Sequence, residues 1–175
     1  MRICFVTNLA LWSLAEGKGA PSFFNTIKMF VDRGHSVTLL TTEDDPKLGE
    51  LRANVDVVSV PRRNTTENRL FGGFFRVVQK HHNYAKSQSD IIEYLDKYAV
   101  NADLLYAYEI GFVPGVVDFA KKTGKACVSR FQGTILTDLV QPVSALRKLR
   151  LYLQFYDHIK AMRASSDLTL MTDDG

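Results

Sequence analysis

The chain has 175 residues, 46% hydrophobic and 23% charged, with a formal net charge of +3. That length and balance describe one globular unit of the soluble type, large enough to bury a sizeable core. The charge is too small to argue for nucleic acid, and no apolar run approaches the roughly 20 residues that span a bilayer. Met1-Arg2-Ile3-Cys4-Phe5-Val6 is too short for a signal peptide and lacks a small-residue cleavage site, so it reads as a first strand. Cys4 and Cys127 both fall in predicted interior strands. Two buried, reduced thiols suit a cytosolic protein better than a disulfide framework.

The elements alternate. Ile3–Asn8 is the first strand, and Ser22–Arg33 is a helix whose Phe23, Phe24, Ile27, Phe30 and Val31 recur at helical spacing. Ser22 is placed to cap that helix and Gly34 to end it. Val37–Thr42 and Val55–Val60 are the second and third strands, the latter stopped by Pro61. A long helix follows from near Phe74 to Tyr98, with Val77, Val78, His81, Tyr84, Ile91, Leu95 and Tyr98 along one face. Leu104–Tyr108 is the fourth strand. Pro114 and Gly124 bracket the next helix, and Ala126–Phe131 is the fifth strand. A last long helix is expected over Val143–Arg163, with Leu146, Leu149, Leu153, Tyr156, Ile159 and Met162 facing inward. Ser166–Thr172 closes the set as a short buried strand. Strands that are mostly continuous apolar runs imply burial on both faces. The fold class is therefore α/β, a doubly wound, mostly parallel sheet, with expected strand order 3-2-1-4-5-6.

Two connections are longer than such a fold needs, and long loops at strand C-termini are where α/β proteins keep their sites. The first runs from Leu9 to Pro21 and carries Gly17-Lys18-Gly19, a glycine-flexible turn with one cation before a helix start, suited to an anion. Gly17-x-Gly19-x-x-Ser22, with Glu43 after the second strand, also resembles the dinucleotide fingerprint of an oxidoreductase. That fingerprint needs its first glycine directly after strand one, and here Leu9–Glu16 intervene. The second connection runs from Arg62 to Gly73. Arg62, Arg63, Leu70, Phe71, Phe74 and Phe75 mix cations with aromatics, a pattern that suits an anionic or lipid-linked acceptor and peripheral contact with a membrane. No Cys, His and carboxylate cluster has zinc spacing, so no metal site is expected.

The order of segments resembles the N-terminal domain of GT-B glycosyltransferases of family four. The resemblance rests on Met1–Asn8, the Gly17-Lys18-Gly19-Ala20 loop, and Arg33-Gly34-His35 leading into an apolar strand. It continues through Ala102–Tyr108, Lys125–Thr134 and Ala164–Thr172, and so covers nearly the whole chain. It implies one half of a two-domain enzyme that transfers a sugar from a nucleotide-sugar donor, generally with retention at the anomeric carbon. This half is then the acceptor-binding domain and holds no cofactor of its own. A C-terminal donor-binding domain of the same parent chain is the implied partner; its E-x7-E motif is not found here. The implied setting is cell-envelope polysaccharide or lipid-linked acceptor chemistry at the cytoplasmic face of a membrane.

The residues expected at the site follow the strand ends. Asn8, Gly17, Lys18, Gly19, Arg62, Arg63, Tyr108, Gly133 and Thr134 are candidates for donor phosphate or acceptor. Glu109 and Gln132 stand where the family often has histidine. Glutamine orients a hydroxyl but is no base near neutral pH, whereas a carboxylate can serve as acid or base. A dinucleotide-binding oxidoreductase half and a stand-alone Rossmann-like binding domain are the alternatives.

Overall fold

The structure, a computed structural model, describes residues 1–8, 21–43, 48–62, 73–132 and 144–172. Six strands form one all-parallel sheet: β1 (Arg2–Thr7), β2 (Ser36–Thr41), β3 (Val55–Ser59), β4 (Leu104–Tyr108), β5 (Ala126–Gln132) and β6 (Leu168–Thr172). Their order is β3-β2-β1-β4-β5-β6, as expected from the sequence. The strand limits lie within two residues of those expected. Among the described residues five helices connect them: α1 (Pro21–Asp32), α2 (Gly73–Tyr98), α3 (Val113–Thr123), α4 (Ala145–Gln154) and α5 (Tyr156–Arg163), with a short 3-10 turn at Gly49–Ala53.

Strand alternation divides the core. Cys4 and Val6 of β1 join Ile91, Leu95, Val116 and Phe119 on the side of α2 and α3. Ile3 and Phe5 join Phe23, Phe24 and Ile27 of α1 on the other. Both cysteines are buried and unpaired, and burial pushes the Cys4 thiol up to about 12 and the Cys127 thiol up to about 11. Gly34 ends α1 at φ 75, and His35 N–H reaches back to the Phe30 carbonyl at 3.0 Å, a Schellman-type stop.

The structure corrects the sequence reading in four places. Ser22 does not cap α1. The helix begins one residue earlier, at Pro21, a residue suited to a first helical position, and the Ser22 hydroxyl lies 3.3 Å from the Tyr108 hydroxyl. On α2, Val78 and Tyr98 are exposed rather than inward. The last long helix is two helices, broken at Phe155 (φ −106, ψ 28). Leu146, Leu149 and Leu153, expected inside, are 78%, 56% and 39% exposed, and the core takes only Ala161 from this pair. Periodicity revealed a stripe there but not what covers it. Finally, β6 is not buried: Leu168 and Met171 are 51% and 52% exposed, because β6 is the sheet's last strand and pairs with β5 alone.

α2 shapes the site. Its 26 residues measure about 39 Å at 1.5 Å per residue, against about 17 Å for a five-residue strand. It runs antiparallel to β3 and β4, so its second half packs on the sheet while its first half overhangs the strand C-termini. Accordingly Ile91, Leu95 and Ala99 are fully buried, whereas none of residues 77–90 is.

α2 and α3 meet closely at Gly115. A Cβ there would lie 2.6 Å from Ile91 Cγ2 and 3.0 Å from the Gln88 carbonyl oxygen. Gly115→Ala is therefore expected to destabilise the fold by about 1–3 kcal/mol through overpacking, read as a lower urea midpoint at unchanged m-value. An unchanged midpoint would show that the two helices are free to move apart.

Candidate functional site

A cavity of about 370 Å³ opens at the C-terminal edge of the sheet. Its floor comes from residues that follow the strands: Asn8 after β1, Thr42 after β2, Pro61 and Arg62 after β3, and Glu109–Phe112 after β4. The overhanging half of α2 supplies Lys80, Asn83, Tyr84 and Ser87, and the start of α5 supplies Asp157 and His158. Open parallel sheets bind ligands in such a crevice, where the winding direction reverses. Here it reverses between β1 and β4.

The turn after β4 is built with care. Glu109 has φ 66, a left-handed conformation that costs a non-glycine residue roughly 1–2 kcal/mol. Its N–H donates to the Arg130 carbonyl at 2.9 Å, which holds the bend against β5. Gly111 lies against the Asn8 side chain, leaving no room for a Cβ. The Gln88 amide staples the turn to α2: it donates to the Gly111 carbonyl at 2.7 Å and accepts from Gly115 N–H at 2.9 Å. The first turn of α3 has little left for an anion. Pro114 has no N–H, Gly115 is engaged by Gln88, and Val116 N–H donates to the Phe112 carbonyl.

The opposite wall is a clamp between α2 and α5. Lys80 Nζ lies 3.0 Å from Asp157 Oδ2 and donates to Oδ1 at 3.1 Å and to the Gln154 carbonyl at 2.8 Å. The Tyr84 hydroxyl donates to the Asp157 carbonyl at 3.3 Å, and His81 stacks on Tyr156 with centroids 4.1 Å apart. Burial, then the Asp157 carboxylate, raise the Tyr84 phenol well above its ordinary value, so it acts as a hydrogen-bonding group only. Asp157 Oδ1 also accepts the His158 backbone N–H at 3.1 Å. The His158 ring meets Phe155 edge-on at 5.3 Å. Burial lowers its pKa below the ordinary histidine value; the Asp157 carboxylate opposes that shift and the Lys80 ammonium adds to it. At neutral pH the cavity therefore presents a neutral imidazole beside one engaged lysine, the exposed Arg62 and the Glu109 carboxylate.

Of the residues named from the sequence, the structure brings Asn8, Arg62 and Glu109 together at this cavity. Tyr108 lies elsewhere. Strand alternation turns it to the α1 face, 1% exposed, with its ring 4.3 Å from Phe23 and the Arg130 guanidinium 5.8 Å away. Gln132 ends β5 at the same sheet edge, in register with Thr172. Gly17, Lys18, Gly19, Arg63, Gly133 and Thr134 fall outside the described residues. Sequence reasoning missed Lys80, Tyr84, Asp157 and His158 as one set. More than seventy residues separate Lys80 from Asp157, and no local motif joins them.

No protein-family model matches the chain. No curated protein matches it by sequence. Among solved structures it is similar to a UGT transferase from Siraitia grosvenorii in complex with UDP, at 16% identity and TM-score 0.61, over 97% of this chain and 44% of that one. It is similar to UGT89C1 of Arabidopsis thaliana complexed with UDP-L-rhamnose, at 13% identity and TM-score 0.57, over 98% and 42%. It is also similar to Acinetobacter baumannii MurG, at 10% identity and TM-score 0.51, over 98% and 40%. The chain thus spans less than half the length of each. At these identities the likeness is one of fold: an α/β, Rossmann-like half of a GT-B architecture.

The electrostatics of the clamp are testable by NMR titration of the histidines. His158 is expected to titrate below the ordinary value of about 6.5. Lys80→Met removes a lowering influence and should move the midpoint up, while Asp157→Asn removes a raising one and should move it down. Because the folded state then binds this proton more weakly than the unfolded chain, the shift costs stability as pH falls below about 6.5. A His158 midpoint above that of an unfolded peptide would contradict the placement.

Proposed function

We propose that this chain is the acceptor-binding half of a glycosyltransferase of family four. One observation carries the reading. In a GT-B half-fold, the crevice where the sheet reverses holds a cavity that gathers Asn8, Arg62 and Glu109 from separate strand ends. A cavity of this size whose lining includes Asn8, Arg62, Asn83, Ser87 and Glu109 suits a sugar or a phosphorylated head group. Arg62 meets an anionic group of the acceptor, lipid-linked or polysaccharide, and Asn8 and Ser87 offer neutral hydrogen bonds to hydroxyls. The nucleotide sugar is held by a second Rossmann-like half of the same parent chain, and transfer takes place in the cytoplasm at the inner face of the membrane. Amide donors and a cation of the Gly17–Gly19 loop stabilise charge on the departing diphosphate. Retention then rests on donor-phosphate chemistry, with Gln132 orienting the sugar.

The test uses the natural full-length product with sugar nucleotides, beginning with uridine diphosphate sugars. Release of nucleotide dependent on an added acceptor is the expected result, and NMR of the product reads the anomeric outcome. Reduction of a nicotinamide dinucleotide without glycosyl transfer would instead favour the oxidoreductase alternative. The isolated chain is expected to bind sugar nucleotide weakly or not measurably by calorimetry. Tight binding there would reverse the assignment of the two halves.

Residue roles separate by kinetics. Arg62→Gln is expected to raise the acceptor KM roughly 10- to 100-fold, with kcat little changed, as for loss of a charged hydrogen bond. Glu109→Gln is expected to leave kcat nearly unchanged when both substrates saturate. A fall of roughly 10²–10⁴-fold would make Glu109 an acid or base and overturn the donor-phosphate mechanism.

A further inference from the structure

The surface that the sequence reading misplaced is α4. Ser144 caps it, accepting from Arg147 N–H at 3.4 Å, and Phe155 N–H closes it on the Leu151 carbonyl at 2.9 Å. Between them run Ala145-Leu146-Arg147-Lys148-Leu149-Arg150-Leu151-Tyr152-Leu153-Gln154. At 100° per residue, Leu146, Leu149 and Leu153 form one stripe, with Tyr152 beside it. Arg150 falls on the flank opposite Tyr152, and Arg147 and Lys148 lie on the far, polar side. Leu146 and Leu149 are 78% and 56% exposed, and no residue of α4 is buried. Three cations and no acid lie between Ser144 and Gln154. A groove of about 1220 Å³, lined by Val77 of α2 and by Leu146, Leu149 and Leu153, runs beside the helix.

We propose that α4 docks this domain on an anionic lipid surface. A helix with leucines on one face and cations around the rest lies in the plane of the head groups, apolar side down. The charge decides the occupant. A leucine stripe alone would suit any apolar partner, but a flanking arginine and a polar face of Arg147 and Lys148, without a single acid on the helix, complement a sheet of phosphates. The C-terminal end of α4 is held to α2: Lys80 donates to the Gln154 carbonyl, and the His81 ring lies 3.2 Å from the Leu153 carbonyl. Lys80 also lines the cavity, so groove and cavity meet at one side chain. If the transfer reading holds, an acceptor lipid keeps its tail at α4 while its polar head enters the cavity. The docking itself does not depend on that reading.

The test is co-sedimentation of the purified chain with vesicles of phosphatidylcholine alone and of phosphatidylcholine mixed with phosphatidylglycerol. Binding is expected only to the mixed vesicles, and loss of binding is expected at 1 M salt, where the screening length is about 3 Å. Leu146→Ser with Leu149→Ser, and separately Lys148→Ser with Arg150→Ser, should each weaken binding roughly tenfold or more. These side chains are exposed, so circular dichroism and the thermal midpoint should be unchanged. Lys122→Ser with Lys121→Ser, on α3, is the charge-matched control and should bind as the parent does. Failure to sediment with mixed vesicles, or binding that survives the double serine changes, overturns the proposal. So does a concentration-dependent dimer abolished by Leu146→Ser with Leu149→Ser, which would assign the face to a second copy. Sedimentation of the chain with mixed vesicles, together with no glycosyl transfer by the full-length product, would count against the functional reading alone.

Discussion

Everything at the candidate site depends on one constraint: parallel strands joined by right-handed crossovers place all their C-termini on one edge. From β1 the chain winds one way to β2 and β3, then crosses the sheet and winds the other way through β4, β5 and β6. The helices that follow β1 and β4 therefore lie on opposite faces, and the gap between them is a crevice that no described helix fills. Asn8 and Glu109 stand on its two sides. Local sequence chooses which groups line the crevice; the winding alone makes it exist.

The long crossover completes it. A helix just long enough to match its strands would leave the crevice as an open notch. α2 exceeds them by several turns, so its first half becomes a wall and brings Lys80, Tyr84 and Ser87 over the strand ends. The Lys80–Asp157 pair then ties that wall to α5. Lys80 is 40% exposed and Asp157 22% exposed, a partly wet pair of modest energy. Its larger effect is positional, because it sets where the start of α5, and so His158, stands.

The core was legible in the sequence because its signals are local. Continuous apolar runs marked β1, β2 and β4, and glycine and proline punctuated α1 and α3. Asn8, Arg62 and Glu109 were named because they follow strand C-termini, and the same topology places them along one cavity. Tyr108 was assigned to the site on the same logic, but one step along a strand reverses the face. The failures share a cause. Leu146, Leu149 and Leu153 repeat as core residues do, and a repeat says nothing of what stands opposite. Leu168 and Met171 look like interior strand residues, yet they belong to the strand that ends the sheet. The partnership of Lys80 with Asp157 is a property of the folded chain alone.

The left-handed backbone at Glu109 sets local strain against the side chain that lines the crevice. Glycine or asparagine would sit there with less strain, whereas a β-branched residue would sit worst of all. Selection for folding alone would thus drift position 109 away from a carboxylate. The same holds in the laboratory: a screen that ranks variants by melting temperature would favour replacements that empty one side of the crevice, while reporting them as improvements. Thermal robustness and the lining of this crevice have to be scored by separate measurements.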